Sequence, residues 1–284
     1  MRELDTRRCP VVEGVPADEE TLALHTWDDG RPGLADLFYV HGLQSHAGWL
    51  FETGPALLKR GVRLTVLDRR GSGASTGPRG HLPDARTALA DYGAALARLV
   101  ATASRPVTVL GQSFGGGLVA AMVASGRVPH GSRIVLCAPA LGQQRARFDE
   151  AARARVLSER GLDPSVVRIE DEQYTNLPGY LRLMANDGLM VRSVTKSFRA
   201  AMVETEDLYV AAGPGPWVDR HVWVAYPEQD SIIDLRASES LLAALAPQAV
   251  SRRFPVSSHY LEFTDAQEQY WDWVAAVVRG GGEP

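Results

Sequence analysis

The chain alternates short apolar segments with longer segments of helical periodicity, and this alternation limits the folds that it can adopt. Six apolar segments are predicted strands: Leu34–Val40, Val62–Leu67, Val107–Leu110, Arg133–Cys137, Val222–Tyr226 and Ala249–Phe254. Four further segments are predicted helices: Arg86–Val100, Leu118–Ala124, Ser238–Leu245 and Ala266–Val278. Strands that alternate with helices predict an α/β fold, in which a mostly parallel central sheet has helices on both faces. Thr21–Trp27 is the better candidate for an antiparallel strand at the sheet edge.

One long segment, residues 143–216, interrupts this alternation. It contains helical patterns at Ala146–Arg160 and Val191–Val203 but no convincing strand. In open α/β sheets, ligands bind at the carboxyl ends of the strands, and an insertion between two strands can cover that edge. We therefore expect residues 1–142 and 217–284 to form the core and residues 143–216 to form an inserted helical cap. The alternative is that these helices simply pack on a face of the sheet.

The composition disfavours several other classes of protein. The 30 basic and 34 acidic side chains give a net charge of −4, which offers no reason to expect nucleic-acid binding. Only Lys59 and Lys196 are lysines and neither lies in a motif, which disfavours mechanisms that need a catalytic lysine. Cys9 and Cys137 are too few for a disulfide framework or a cysteine-rich zinc site. The charged start and the lack of a long apolar run predict a cytoplasmic protein without a signal peptide or stable membrane insertion.

The most informative motif is Gly111-Gln112-Ser113-Phe114-Gly115, which matches Gly-x-Ser-x-Gly. A predicted strand precedes it and a predicted helix follows it, which is the context that a nucleophile elbow requires. In such a turn the serine takes a strained backbone conformation that projects its hydroxyl above the sheet, and the residues two positions away must be small. Ser113 is therefore the candidate nucleophile, and a glycine-rich turn with an incidental serine is the alternative.

A serine hydroxyl needs a base, and in this architecture the partners follow in the order serine, acid, histidine. The acid should follow a late strand, where Asp230 is favoured because the two isoleucines after it would anchor the loop. Asp234 and Glu228 are the alternatives for the acid. The base should follow the last strand, and His259 is the only histidine beyond His221.

Two backbone amides are candidates for an oxyanion hole. One belongs to Phe114, which follows the nucleophile. The second should come from the loop after the first central strand, which reads HGLQ. There Leu43 is the favoured donor, because Gly42 before it allows a sharp turn. His41, at the strand end, is expected to organise the loop by a hydrogen bond rather than to act as the base.

Six short motifs together resemble the α/β-hydrolase superfamily: HGLQ, DRRGSGAS, GQSFGG, CAPAL, QDSII and SSHYLEF. Within it, the chain resembles the monoacylglycerol lipase and lysophospholipase-like serine hydrolases over most of its length, Leu22–Val278. The site residues that the resemblance implies are a triad of Ser113, Asp230 and His259 and an oxyanion hole of Leu43 and Phe114. It also implies a structural role for the Asp-x-x-Gly-x-Gly-x-Ser loop, residues 68–75.

Side chains of the cap and of two loops are candidates for substrate contact. They are Gln44, Met184, Met190, Phe198, Met202 and Tyr260. Methionines suit pockets for flexible apolar groups, but they could equally fill the core between cap and sheet. The arginines of Ala146–Arg160 are expected to form a solvated helix face, and an acidic substrate or a membrane surface is the minority interpretation.

The sequence thus predicts a serine hydrolase that cleaves a carboxylic ester, either lipid-like or a small acyl ester, through an acyl-enzyme on Ser113. This chemistry calls for no metal and no cofactor, and the expected partner is a small acyl substrate. Thioester hydrolysis, acyl transfer and biosynthetic cyclisation are alternatives because they use the same triad. A non-catalytic ligand-binding protein on the same scaffold is a further alternative, and the oligomeric state is open between monomer and homodimer.

Overall fold

A central β-sheet runs through the computed structural model, which describes residues 9–280. The first eight residues, which contribute to the expectation that there is no signal peptide, lie outside the described residues. The strands are β1 (Val11–Ala17), β2 (Glu20–Trp27), β3 (Ala35–Val40), β4 (Val62–Leu67), β5 (Thr108–Gln112), β6 (Arg133–Cys137), β7 (Pro164–Val166), β8 (Ser193–Thr195), β9 (Val222–Pro227) and β10 (Val250–Phe254). Eight of them form the central sheet in the order β1-β2-β4-β3-β5-β6-β9-β10.

The strands β4, β3, β5, β6, β9 and β10 all run parallel to one another. At one edge of the sheet, β2 pairs antiparallel with β4, and β1 pairs antiparallel with β2. Every residue of β3 is buried, as expected for a central parallel strand. Because successive side chains point to opposite faces, Phe38 and Val40 join the core on one face, and Leu37 and Tyr39 join the core on the other. The predicted α/β fold with a mostly parallel sheet is confirmed.

Helices cover both faces of the sheet. They are α1 (Thr53–Lys59), α2 (Ala85–Thr102), α3 (Phe114–Ala124), α4 (Gln143–Arg147), α5 (Glu150–Ser158), α6 (Asp171–Tyr174), α7 (Pro178–Ala185), α8 (Lys196–Ala212), α9 (Leu235–Leu245) and α10 (Gln267–Arg279). Leu96 of α2 and Val119 of α3 pack on one face, while Leu57 of α1 and Val277 of α10 pack on the other. In residues 9–280, no helix is both long and apolar enough to cross a membrane.

Residues 143–216 lie between β6 and β9 and contain α4 to α8. The expectation of no strand in this segment was wrong, because β7 and β8 form an antiparallel pair. Each of these two strands has only three residues, which is too short for a recognisable alternation in the sequence. The segment is otherwise helical, and α8 packs against both α3 and α5.

Capping side chains explain why two predicted cap helices have different bounds. The predicted helix Ala146–Arg160 is broken because Phe148 is extended and Asp149 begins α5 by accepting a hydrogen bond from the Ala152 amide (2.8 Å). The predicted helix at Val191–Val203 begins only at Lys196. The hydroxyl of Thr195 caps that helix by accepting a hydrogen bond from the amide three residues later (3.2 Å).

The loop after β4 is organised around the buried carboxylate of Asp68. It accepts hydrogen bonds from the amides of Ala47 (2.7 Å) and Ala74 (2.8 Å) and lies 2.9 Å from Nε2 of His25. Burial favours the protonated form, but the hydrogen bonds from His25 and Ala47 outweigh it and lower the pKa of Asp68 to about 2. A Cβ at Gly73 would lie 2.2 Å from the same carboxylate. This network agrees with the structural role that the resemblance implies for the loop.

We expect Asp68→Asn to reduce the free energy of unfolding at pH 7 by about 2 kcal/mol. Because the pKa of Asp68 is lowered on folding, its contribution is present above about pH 4 and is lost as the pH falls towards about 2. The difference between variant and native chain should therefore narrow over that interval, measured by urea unfolding at several pH values. Asp149→Asn is the control, since asparagine also caps a helix; an equal effect of both variants would contradict the prediction.

Candidate active site

Ser113 lies in a strained turn between β5 and α3. Its backbone angles are φ 53° and ψ −119°, a region that residues other than glycine rarely adopt. A Cβ on Gly115 would lie 2.0 Å from the carbonyl oxygen of Val40, and one on Gly111 would lie 2.5 Å from the carbonyl oxygen of Gly115. The two glycines are therefore required by backbone-to-backbone contact. The helix α3 begins at Phe114, four residues before the predicted helix start. The glycines hid this first turn in the sequence because glycine has a low helix propensity.

His259 and Asp230 form a buried pair at the same edge of the sheet. Asp230 follows β9, His259 follows β10, and Ser113 follows β5, so all three lie beyond the carboxyl ends of parallel strands. His259 Nδ1 lies 2.6 Å from Asp230 Oδ2, and both side chains are 0% exposed. The other carboxylate oxygen accepts hydrogen bonds from the amides of Ile232 (2.8 Å) and Ile233 (3.1 Å). The carboxylate is thus held by the two isoleucines that marked it in the sequence.

The remaining nitrogen of the His259 ring is available for chemistry. Since Nδ1 faces a carboxylate, it carries the proton in the neutral ring and Nε2 has the free lone pair. Among the described residues, this buried Nε2 has no hydrogen-bond partner. The alternative acids do not contact the histidine: Asp234 caps α9 by accepting from the Ala237 amide (3.1 Å), and Glu228 is exposed.

The loop that follows β3 passes directly beside the serine. A Cβ on Gly42 would lie 2.4 Å from Gln112 Oε1 and 3.5 Å from the Cβ of Ser113. Leu43 is the next residue of this loop after Gly42, which approaches Ser113. Phe114 is the first residue of α3, where backbone amides have no partner within the helix. Of the two predicted oxyanion donors, Phe114 follows Ser113 in the chain, and Leu43 follows Gly42, which approaches Ser113 in space.

His41 organises this loop, as expected, and does not contact the acid. Its Nδ1 lies 2.9 Å from the carbonyl oxygen of Gly42, and the amide of Arg69 donates to its Nε2 (3.0 Å). Because Nε2 accepts, the ring proton is on Nδ1, which donates to the carbonyl. Burial and the nearby Arg69 cation lower the pKa of His41 to about 3, so the ring is neutral at physiological pH.

Arg69 is a buried cation behind the same loop, and the sequence analysis did not identify it. Its Nη1 donates to the Gly42 carbonyl (3.1 Å) and its Nη2 donates to the Leu43 carbonyl (2.8 Å). The guanidinium also lies 5.6 Å from the ring of Phe114 and 5.0 Å from that of Phe198. It is 1% exposed, burial lowers its pKa, and no carboxylate of residues 9–280 forms an ion pair with it. The motif Asp-x-x-Gly could not identify Arg69, because this residue occupies a variable position of the motif.

Gln44 connects the loop to the cap. Its side-chain oxygen accepts a hydrogen bond from the Tyr174 hydroxyl (2.8 Å), and its side-chain nitrogen donates to the Val191 carbonyl (3.0 Å). A second connection comes from the backbone of His259, whose amide donates to the carbonyl of Gln173 (3.1 Å). Both the oxyanion loop and the histidine loop are therefore hydrogen-bonded to cap residues. Gln44 is fully buried, with both ends of its amide occupied by protein.

The other predicted substrate contacts occupy two kinds of position. Met184, Met190 and Tyr260 are buried in the core that also contains α10, and Phe198 is buried against Phe114, with ring centroids 5.5 Å apart. Only Met202 borders open space. It lines a groove of about 680 Å³, which we call the cap groove. This groove also includes Leu43, Arg147, Arg199 and residues 165–169. Contact of these six candidates with a substrate stays a prediction.

Comparisons with known proteins agree with the fold. Residues 34–261 match the Hydrolase_4 family, described as serine aminopeptidase, S33. The phospholipase YtpA of Bacillus subtilis (strain 168) is 28% identical over 218 residues, which cover 69% of this chain and 81% of that protein. An uncharacterized abhydrolase domain-containing protein of Dictyostelium discoideum is 33% identical over 103 residues, which are 35% of this chain and only 10% of that protein. A soluble variant of the monoglyceride lipase of Saccharomyces cerevisiae, solved with a substrate analog, has a TM-score of 0.82, 13% identity and 97% coverage of both chains.

The sheet order, the turn at Ser113 and these similarities define the class of this protein as an α/β-hydrolase. The chain belongs to the Hydrolase_4 (serine aminopeptidase, S33) family, and the phospholipase YtpA is among its relatives in sequence. The resemblance to the α/β-hydrolase superfamily is thereby confirmed, as is the similarity of the chain to monoglyceride lipases in structure.

Two glycine substitutions test the backbone contact at the elbow. Gly115→Ala should destabilise the chain by more than about 4 kcal/mol, or prevent folding, because its Cβ would overlap the Val40 carbonyl. Gly117→Ala should change stability by less than about 1 kcal/mol, since its Cβ would meet nothing closer than 3.7 Å. Thermal unfolding and soluble yield measure both effects. Similar stabilities of the two variants would show that the close contact at Gly115 does not control stability here.

Proposed function

We propose that this protein is a serine hydrolase that cleaves a carboxylic ester through an acyl-enzyme on Ser113. The observation that supports this most is the buried Asp230–His259 pair, whose free Nε2 lies at the sheet edge where Ser113 occupies its strained turn. A base with a fixed tautomer and an unused lone pair is what a serine hydroxyl needs to become a nucleophile. Membership of a family of lipases and esterases supports the same conclusion.

In the first half of the reaction, His259 Nε2 takes the proton of the Ser113 hydroxyl as Oγ bonds to the ester carbonyl carbon. Asp230 stabilises the imidazolium that forms, and the Ile232 and Ile233 amides keep the carboxylate in place. The tetrahedral intermediate then collapses, the ester C–O bond breaks, and the leaving alcohol receives the proton from Nε2. Water then attacks the carbonyl carbon of the acyl-enzyme while His259 Nε2 takes a proton from it. The bond from Ser113 Oγ to the acyl group breaks, Nε2 returns the proton to Oγ, and the acid is released.

The amides of Leu43 and Phe114 would stabilise the negative oxygen of the intermediate. The Leu43 amide belongs to the same peptide group as the Gly42 carbonyl, which accepts from both His41 Nδ1 and Arg69 Nη1. Two hydrogen bonds on the carbonyl fix the orientation of this peptide group. A charged donor also withdraws electron density from the carbonyl and so makes the amide on the other side a stronger donor. Arg69 is thus a positioning residue for the oxyanion hole.

Acyl transfer or cyclisation is a second candidate, favoured by how little of the site is open to water. Ser113 is 9% exposed and the side chain of His259 is fully buried. Exclusion of water extends the life of an acyl-enzyme and allows an alcohol or amine to compete for it. Product analysis with ¹⁸O-labelled water decides between the two: hydrolysis places the label in the released acid, and transfer leaves the acyl product unlabelled.

Ser113→Ala should lower turnover of p-nitrophenyl butyrate by at least about 10⁴-fold while the unfolding temperature stays close to that of the native chain. The native chain should be labelled covalently by a fluorophosphonate probe, and the variant should not. Ser125→Ala is the matched control, because this exposed serine lies at the other end of α3. A native chain that neither turns over esters nor reacts with the probe would support a non-catalytic binding protein instead.

Arg69→Met should lower kcat for the same ester by about 10- to 100-fold with a smaller change in KM, since oxyanion contacts act mainly in the transition state. Arg69→Lys should restore part of the loss, because an ammonium keeps the charge but cannot bond both carbonyls in one plane. Kinetics should be measured on protein whose circular dichroism matches that of the native chain. A purely structural role would lower the unfolding temperature of Arg69→Met and leave kcat of the folded fraction unchanged.

A further inference from the structure

The cap groove shares one residue, Leu43, with the candidate active site. Leu43 of the oxyanion loop forms one wall. Arg147 lies in another wall, and its Nη2 donates to the carbonyl of Ile232 (2.8 Å), two residues after Asp230. Met202 of α8 contributes an apolar surface. A substrate with its carbonyl between Leu43 and Ser113 could therefore extend one arm into this groove.

The charged side chains that line the cap groove are all positive. Three arginines line it, Arg147, Arg168 and Arg199, and no aspartate or glutamate does. The rest of its wall is largely apolar, with valines from β7 and β8 and Ile169. Positive charge in a concave site with apolar walls attracts anions more strongly than the same charge on an open surface, because the walls exclude water.

Several other arginines of residues 143–216 differ from these three in having acidic partners. Arg145 and Arg153 both form ion pairs with Asp207, and Arg192 forms one with Asp171. Within residues 9–280, by contrast, Arg168 and Arg199 form no ion pair and are exposed, and Arg147 bonds only a carbonyl oxygen. Residues 143–216 thus pair several arginines with carboxylates and leave the charge of the three groove arginines without an acidic partner.

We propose that the cap groove binds an anionic arm of the ester substrate, a phosphate or a carboxylate, and that Arg168 and Arg199 recognise it. A guanidinium can offer two parallel donors to either group, which gives orientation as well as attraction. This inference rests on the proposed function, since it assigns the substrate class of the same site.

Two pairs of esters test the proposal and distinguish the position of the anion. The first pair, 1-octanoylglycerol and 1-octanoylglycerol 3-phosphate, places the charge on the leaving group. The second pair, p-nitrophenyl pentanoate and mono-p-nitrophenyl glutarate, places it on the acyl group. In one of the pairs, kcat/KM for the anionic ester should exceed that for the neutral one by about 10-fold at low ionic strength. The preference should decline as sodium chloride screens the charges.

The double variant Arg168→Gln/Arg199→Gln should reduce this anionic-to-neutral ratio by at least about 5-fold. Arg182→Gln is the matched control, because Arg182 is an exposed arginine of α7 that does not line the groove. Its ratio should equal that of the native chain. Equal reductions in the control and the double variant would point to the general charge of the cap and overturn the assignment of these two residues.

The outcomes separate this inference from the proposed function. Turnover of all four esters without preference for charge, together with fluorophosphonate labelling of Ser113, overturns the anion site and leaves the serine hydrolase intact. Failure of both turnover and labelling overturns the proposed function and the anion site with it. A preference for the anionic ester that the double variant retains in full also rejects Arg168 and Arg199 as the recognition residues.

Discussion

The close approach of α3 to the end of β3 is the contact on which the rest of the site depends. Gly115 allows the first turn of α3 to touch the Val40 carbonyl, and this places Ser113 beside the loop that begins at His41. A larger residue would push the helix away and separate Ser113 from the loop that begins at His41. The strain at Ser113 is tolerated because the strand before it and the helix after it are both fully buried.

Two buried charged groups then fix the loops around this contact in different ways. Asp68 accepts several hydrogen bonds, which lower its pKa and hold the loop after β4. Arg69, the next residue, has no acidic partner among residues 9–280 and uses its donors on the carbonyls of Gly42 and Leu43 instead. A charge buried without a counter-ion is costly unless its hydrogen bonds are satisfied. Placing one here is therefore consistent with a functional requirement of the oxyanion loop.

Residues of the segment 143–216 are hydrogen-bonded to two loops of the candidate site. Cap residues hold the oxyanion loop through Gln44 and hold the histidine loop through the backbone of His259. Movement of α6 would therefore alter both loops together. Arg147, Arg168 and Arg199 of this segment line the groove, so the segment that contacts these loops also sets the charge of the groove.

The sequence by itself determined the α/β fold, the position of the serine turn and the order of the candidate triad. These follow from local patterns: periodicity, glycine spacing and the rule that functional residues follow strands. The boundaries of α3 and the short β7–β8 pair could not be predicted, because glycines and three-residue strands leave no periodic signal. Only the tertiary structure decided which carboxylate meets His259, which methionines are core, and that Arg69 bonds the carbonyls of Gly42 and Leu43. Each of these depends on contacts between residues far apart in the chain, which the path of the backbone alone brings together.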